Sequence, residues 1–289
     1  MQGVIIESSS NLYKVINRED EKIYELIPRG KLKKEEITPI VGDIVEFNEN
    51  GTIETVLPRT VYIKRPKLAN ITQMVLVVSS KDPKPDLLLL DKQIAFAEYL
   101  KIKVVIVLNK IDLDKKNQMQ KIKEIYENIG YKVIETQAKE KKGVNELKKA
   151  IKGNINAFSG NSGVGKSTLI NGIFQEELTK EGEISQRNKR GKNTTTSIKL
   201  YEIDENTYIA DTPGFSTFDI SEIQYTELDK YFKEFKAEIE NCEFVGCTHI
   251  KEQNCGIKQA IENGKINQSR YDRYCKIYEE LKEKEKRKW

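Results

Sequence analysis

The run Gly160-Asn161-Ser162-Gly163-Val164-Gly165-Lys166-Ser167 fits the phosphate-loop pattern GxxxxGK[ST], followed by Thr168. Glycines let backbone amides close around a phosphate, and a following helix adds the partial positive charge of its N-terminus. In this pattern Lys166 reaches the β and γ phosphates and Ser167 binds Mg²⁺. A second candidate is Asp211-Thr212-Pro213-Gly214. Its carboxylate can hold the Mg²⁺ shell, usually through water, and the Gly214 amide can meet a γ-phosphate. Between the two lies Lys189-Arg190-Gly191-Lys192-Asn193-Thr194-Thr195-Thr196. A threonine there, Thr195 being the candidate, can complete the Mg²⁺ shell; alternatively the stretch is a solvated basic loop.

Upstream, Asn109-Lys110-Ile111-Asp112 closes the apolar run VVIVL. A carboxylate such as Asp112 can accept from both N1–H and the exocyclic amine of guanine, and adenine lacks that donor pair. A site that leaves the acid unpaired rejects the wrong base. Lys110 can cover the base plane with its alkyl stem, and Asn109 can tie neighbouring loops together. Thr136-Gln137-Ala138-Lys139 ends another strand, where a backbone amide can meet guanine O6. Together these residues favour GTP over ATP.

The chain has one histidine, His249, so any histidine-based catalytic site uses it or does without. It stands in Cys242-x4-Cys247-x-His249-x5-Cys255. A Cys₃His set suits tetrahedral Zn²⁺ and leaves no open position, which points to a structural ion that folds a thin-cored segment. The alternative is a group of unliganded thiols beside an exposed histidine. Cys275, among tyrosines, reads as a packing thiol, with a replacement-ligand role left open.

These residues need elements to position them. In 289 residues, 38% hydrophobic and 33% charged, about two or three domains with real cores and heavily charged surfaces are expected. No apolar run approaches the roughly 18–20 residues of a membrane span, and the N-terminus lacks a signal pattern, so no membrane partner and a cytoplasmic location are expected. The net charge of +4 permits nucleic-acid contact without demanding it.

Residues 1–66 alternate apolar and polar in short runs (VIIES, NLYKVIN, KIYELIP, VGDIVEFN, TIETVLP), which predicts a small β-barrel, with KRPKLAN as a linker. Barrels of this size are often oligonucleotide-binding (OB) folds; Tyr13, Tyr24, Phe47 and Lys33 are RNA-contact candidates, the aromatics equally well core. Residues 67–220 alternate buried-type strands (ITQMVLVVSS, KVVIVLNKID, KVIETQ, NINAFSG, TYIADTPG) with amphipathic helices, which predicts a doubly wound α/β domain. Residues 221–289 read as mainly helical (TELDKYFKEF, GIKQAIENG, YDRYCKIYEELKEKEKRKW), interrupted by the cysteine loop.

The nucleotide motifs resemble those of translation-factor-related GTPases, but NKID and QAK precede the phosphate loop. That order resembles the circularly permuted GTPases. With a barrel before and the Cys–Cys–His–Cys spacing after, the chain resembles the RsgA family over essentially its whole length. The resemblance implies a GTPase that binds the small ribosomal subunit and its rRNA through barrel and zinc domain, acts late in subunit maturation, and hydrolyses GTP to GDP faster on the subunit. A monomer is expected. Phe215 follows DTPG, where many GTPases carry a water-orienting glutamine, so the isolated protein should turn over slowly, on the order of 10⁻⁴–10⁻² s⁻¹. The family's loop G-[RK]-H-T-T has Asn193 here in place of histidine. Asparagine takes no proton near neutrality, so water activation by that residue is in question, although Asn193 can still position water. Three other readings stay open: a GTP-sensing RNA-binding assembly scaffold with incidental hydrolysis, an ATPase or nucleotide kinase, and, more distantly, a zinc-dependent DNA reader.

Overall fold

Strands form where β-branched and aromatic residues can bury one face. The computed structural model of the chain describes residues 1–34, 36–64, 66–180, 198–204, 206–211 and 219–287. Its first stretch gives β1 (Gln2–Ser9), β2 (Leu12–Asn17), β3 (Ile23–Pro28), the short helix α1 (Gly30–Lys34), β4 (Ile44–Phe47) and β5 (Thr52–Val56). β4 alternates as the sequence suggests, whereas β1 buries the run of residues 3–6 and shifts register between Ile5 and Glu7. β1 pairs antiparallel with β2 and β4, β2 with β3, and β4 with β5, while β3 runs parallel to β5. The ring closes into a five-stranded barrel without a free edge. Val4, Ile5, Val15, Leu26, Val45 and Ile53 of these strands are all buried.

The segment expected as a linker is instead a hairpin of β6 (Tyr62–Lys64) and β7 (Lys67–Ala69). Leu68 and Ala69 are fully buried despite their charged neighbours. Asn70 then pins the strand, donating to Gly42 O at 3.0 Å and accepting from the Thr60 amide at 2.9 Å.

Further along follow β8 (Gln73–Ser79), α2 (Leu87–Tyr99), β9 (Lys103–Asn109), α3 (Gln118–Asn128), β10 (Lys132–Thr136), α4 (Val144–Ile151), β11 (Ile155–Ser159), α5 (Lys166–Lys180), β12 (Lys199–Asp204), β13 (Thr207–Asp211), α6 (Gly256–Glu262) and α7 (Gln268–Lys286). Two compact units result. One takes in Met1–Val75, Gln137–Ser159 and Lys166–Phe215; the other takes in Leu76–Thr136, Gly160–Gly165 and Ser216–Trp289. In the first, β11 runs parallel to β13, β12 pairs antiparallel with β13, and Glu7 of β1 faces Lys199 of β12. In the second, the strand order is β10-β9-β8, and the parallel register sets Thr136 beside Asn109. Asn109 and Thr136 therefore end neighbouring strands side by side.

TELDKYFKEF, expected as helix, forms the 3₁₀ turns Tyr225–Tyr231 and Lys233–Phe235. The cause is tertiary. Phe232 takes an extended backbone (φ −104°, ψ 100°) and is fully buried against Phe235 and Tyr274, which breaks the helical run. No helix among the described residues is long and apolar enough to cross a membrane.

In the second unit α2 and α7 are joined by charge. Asp91 is fully buried and accepts from Arg270, Arg273 and the Tyr126 hydroxyl. Arg270, also fully buried, holds Glu234 through Nε at 2.7 Å and Nη2 at 3.1 Å, with its guanidinium 4.6 Å from the Phe232 ring centre. Removing one member of such a network strands the others without water. Asp91→Ala should therefore cost about 3–5 kcal/mol in urea unfolding; a loss near zero would show that the network contributes nothing.

Candidate functional site

The phosphate loop is shaped by what stands behind it. Gly160 has φ +139°, and a Cβ there would run into Val77 O; Gly165 has φ +101°, and a Cβ would run into the Asn109 amide. Only glycine fits either position. Asn109 ends β9, is 1% exposed, and spends its side chain on two loops. Its Nδ2 donates to Val164 O at 2.9 Å, and its Oδ1 accepts from Thr136 Oγ1 at 3.0 Å. The next residue, Lys110, sits in the left-handed region (φ 60°, ψ 37°) and sends its ammonium to Gly163 O at 2.8 Å, Lys81 O at 3.4 Å and Asp82 O. Ser80 donates to Lys110 O and takes the Asn109 carbonyl at its own amide, 3.1 Å away. Asn161 donates to Asp86, the residue that caps α2 by accepting from the Leu89 amide. Among the described residues, Asn109, Lys110 and Gly160–Gly165 thus form one hydrogen-bonded block, with Val164 buried and Ser162 and Gly163 exposed. Asp112 lies exposed in the 3₁₀ turn Ile111–Leu113, its carboxylate open to a ligand.

The first unit carries the remaining positions. Lys166 opens α5, with Ser167 and Thr168 exposed on its first turn and Leu169, Ile170 and Ile173 buried on the other face. Burial lowers the pKa of the Lys166 ammonium below the ordinary lysine value, a cost that a bound phosphate would reverse. Gln137, Ala138 and Lys139 form a tight turn, closed by the Gln137 amide donating to Lys142 O at 3.1 Å, with Ala138 buried and Lys139 exposed. Asp211 ends β13 opposite Lys199 of β12; its side chain lies outside the described part, as do Thr212–Phe215, Gly214 among them, and Lys189–Thr196 with Asn193 and Thr195. Of the RNA-contact candidates, Tyr13 and Phe47 are barrel core at 4% and 3% exposure, Tyr24 packs 5.2 Å from Phe47, and the Lys33 side chain is outside the described part.

The cysteine loop brings Cys242, Cys247, His249 and Cys255 together, with all donor atoms within 4.8 Å of one another. His249 Nδ1 is 3.3 Å from Cys255 Sγ and 3.6 Å from Cys242 Sγ, and those two sulfurs are 4.0 Å apart. A tetrahedral ion with bonds of about 2.0–2.3 Å needs edges of roughly 3.3–3.8 Å; both His249–cysteine distances lie in that range and the Cys242–Cys255 distance is close to it, so the donor types and these spacings suit such an ion. Buried His249 Nε2 has no hydrogen-bond partner and faces Asp229 at 3.7 Å, as a ring that ligates through Nδ1 would. Burial, with the neighbouring Cys255 and Cys242, pushes the Cys247 thiol up to about 12; a dication removes that penalty on the thiolate. Cys275 is not part of the cluster.

Sequence reasoning missed the groups that hold both sites. Behind the phosphate loop they are Ser80 and Asp86, and the only signal was the KDPKPD turn opening a helix. Around the metal loop, Tyr271 and Tyr274 donate to His249 O at 2.7 Å and Thr248 O at 2.9 Å. Glu252 accepts from the amides of Thr248, Ile250 and Lys251.

The comparisons fit this arrangement. The family model described as RsgA GTPase matches residues 56–221, and the one described as RsgA N-terminal domain matches residues 2–56. The chain belongs to the RsgA GTPase family. A protein of Ruminiclostridium cellulolyticum named small ribosomal subunit biogenesis GTPase RsgA is 39% identical over 97% of this chain and 94% of its own length. One of the same name from Clostridium novyi is 41% identical over the full length of both. The crystal structure of YjeQ from Thermotoga maritima superposes with a TM-score of 0.85 at 37% identity, covering 97% of this chain and 98% of that one. YloQ, titled a circularly permuted GTPase, gives 0.82 at 32%, covering 98% and 95%. This chain likewise carries NKID ahead of its phosphate loop.

Burial would raise the Glu252 carboxyl, but the amides that donate to it, Thr248 and Lys251 among them, hold it at about 2. A depressed carboxyl contributes above the ordinary range of about 4.5 and loses that contribution as pH falls toward 2. At neutral pH the clamp is intact, and Glu252→Ala should cost about 1–3 kcal/mol and speed metal loss to a chelator, read by a colorimetric zinc indicator. An unchanged release rate would mean that the loop does not depend on Glu252.

Proposed function

We propose that this chain is a Mg²⁺-dependent GTPase that docks on the small ribosomal subunit, hydrolyses GTP to GDP there, and leaves once the γ-phosphate is gone. One observation carries the reading: the residues that would recognise guanine are hydrogen-bonded to the loop that would hold the phosphates, through Asn109–Val164 and Lys110–Gly163. Membership in the RsgA GTPase family makes GTP the nucleotide and hydrolysis the reaction. The small subunit as partner is drawn from the relatives' names.

In this reading Asp112 accepts the guanine N1–H and amine, and the Ala138 amide between Gln137 and Lys139 meets O6. Lys110 covers the base, with Ile111 turning the chain between it and Asp112. The amides of Gly160–Gly165 and the Lys166 ammonium cradle the phosphates, flanked by Ser167 and Thr168. Ser167, Thr195 and Asp211 would hold Mg²⁺, which would neutralise phosphate charge as the bond to the γ-phosphate breaks. Gly214 would donate to the γ-phosphate, and Asn193 would position water. Cys242, Cys247, His249 and Cys255 would hold one structural zinc, the ion their donor chemistry fits best. The division into a barrel at 1–66, a GTPase domain at 67–220 and a zinc-binding segment at 221–289 belongs to the same proposal, as does action as a monomer.

Two measurements test it. Titrating purified small subunits into a GTP turnover assay should raise the rate well above that of the isolated protein. A flat titration at all salt concentrations would contradict docking-linked hydrolysis. Asp112→Asn should move base preference from guanine toward xanthine by at least about tenfold in competition binding. Retention of guanine preference would remove Asp112 from the site.

A further inference from the structure

The cysteine cluster leaves one polar atom unaccounted for. His249 is fully buried and packs against Phe235 and Tyr274, with ring centres 5.9 and 6.3 Å from its own. Its Nδ1 faces the sulfurs of Cys255 and Cys242 at 3.3 and 3.6 Å. Its Nε2, on the far side of the ring, has no hydrogen-bond partner among the described residues. The charged group in front of that nitrogen is Asp229, with Oδ2 3.7 Å away. Asp229 does not belong to the metal loop. It stands in the 3₁₀ turn Tyr225–Tyr231, and that turn is anchored elsewhere. Leu228 is fully buried, Tyr225 meets Tyr278 of α7 edge-on at 5.3 Å, and Tyr231 meets Tyr99 of α2 edge-on at 5.5 Å.

A neutral imidazole carries one proton, on one nitrogen or the other. With the proton on Nδ1, that nitrogen donates to a cysteine sulfur, and the Nε2 lone pair is set against a carboxylate. Both are electron-rich, so the contact is repulsive, and the buried aromatic surroundings screen it poorly. With Nδ1 on a dication, the proton sits on Nε2, and the same contact becomes an N–H aimed at an acceptor. The ion therefore reverses the sign of the interaction between His249 and Asp229. Closing 3.7 Å to the length of a charge-assisted bond, about 2.7–2.9 Å, takes a movement of about 1 Å. Rotation of the Asp229 side chain, which is 17% exposed, can supply it.

We propose that Asp229 is a positioning residue of the metal site: it accepts the Nε2–H of His249 once Nδ1 holds the ion, and so fastens the metal loop to the turn Tyr225–Tyr231. The proposal rests on the structural-zinc reading above and adds to it the group through which the ion acts beyond its own loop. Because the turn leans on both α2 and α7, an occupied site steadies the seam between those helices as well as the cysteine loop.

The test uses the zinc-loaded full-length chain beside D229A, D229N and E227Q. Competition with a chelator gives the Zn²⁺ affinity, and the single histidine makes the imidazole nitrogen and proton signals in NMR unambiguous. D229A should lose roughly 10–100-fold in Zn²⁺ affinity. D229N keeps a weaker acceptor oxygen and should recover part of that loss. E227Q removes an acid of the same turn whose partner is Lys230 at 2.7 Å, and it should match the wild type. A loss in E227Q as large as in D229A would point to negative charge in general and overturn the proposal. In the loaded wild type the His249 proton should sit on Nε2 and exchange slowly with water; in D229A it should exchange faster, a change that a purely structural role for Asp229 would not produce. A wild-type proton on Nδ1 overturns the proposal, as does a folded D229A with wild-type affinity and exchange. Should D229A not fold, D229N decides, and exchange as slow as in the wild type counts against Asp229. If the wild-type chain takes up no Zn²⁺, the zinc reading falls and the proposal with it; a failure seen only between variant and wild type removes Asp229 alone.

Discussion

Two hydrogen bonds from one buried amide set most of what the second unit can do. Asn109 is hidden from water, so each polar atom it carries must find a protein partner or cost free energy. Its nitrogen takes Val164 O and its oxygen takes Thr136 Oγ1. The first bond shapes the phosphate loop and the second joins the ends of β9 and β10. Lys110 adds a cation to three carbonyls, Gly163 O on the phosphate loop and Lys81 O and Asp82 O on the segment before α2. The end of β9 and the phosphate loop thus become one hydrogen-bonded block. The chain connection between the two loops can then run either way round, because none of these bonds depends on where the chain is cut.

The same unit is held at its other side by opposite means. There the amides and carbonyls of a loop give way to a Cys₃His cluster, and a buried aspartate on α2 accepts from two arginines of α7. Both are costly devices in isolation, since buried charge and buried thiolate need a partner before they stabilise anything. Here each has one: Arg270 has Asp91 and Glu234, and the thiols have the geometry for a dication. α2 stands between the halves. Its cap, Asp86, touches the phosphate loop at Asn161, while Asp91, in the first turns of the same helix, holds Arg270 and Arg273 of α7.

Much of this was legible in the residues alone. The glycine spacing, the NKID tetrapeptide and the Cys–His spacing each encode a local backbone shape with few alternatives, and barrel strands such as β4 announce themselves by alternation. Less visible was whatever depended on distant partners. Leu68 and Ala69 look like linker residues until a second strand buries them. Phe232 looks helical until Tyr274 and Arg270 draw it inward and break the run. Tyr13 and Phe47 carry no mark that separates a barrel core from a surface that stacks on bases; burial decided for core.

The most direct measurement of the central claim is calorimetry of Mg²⁺–GDP binding to Asn109→Ala beside the wild type. Loss of that amide should uncouple the phosphate loop from the base-reading strand and weaken GDP by roughly 10–100-fold, about 1.4–2.8 kcal/mol, with the melting temperature shifting by only a few degrees. Wild-type affinity in a folded Asn109→Ala protein would contradict the claim that this buried side chain is what makes one site of two loops.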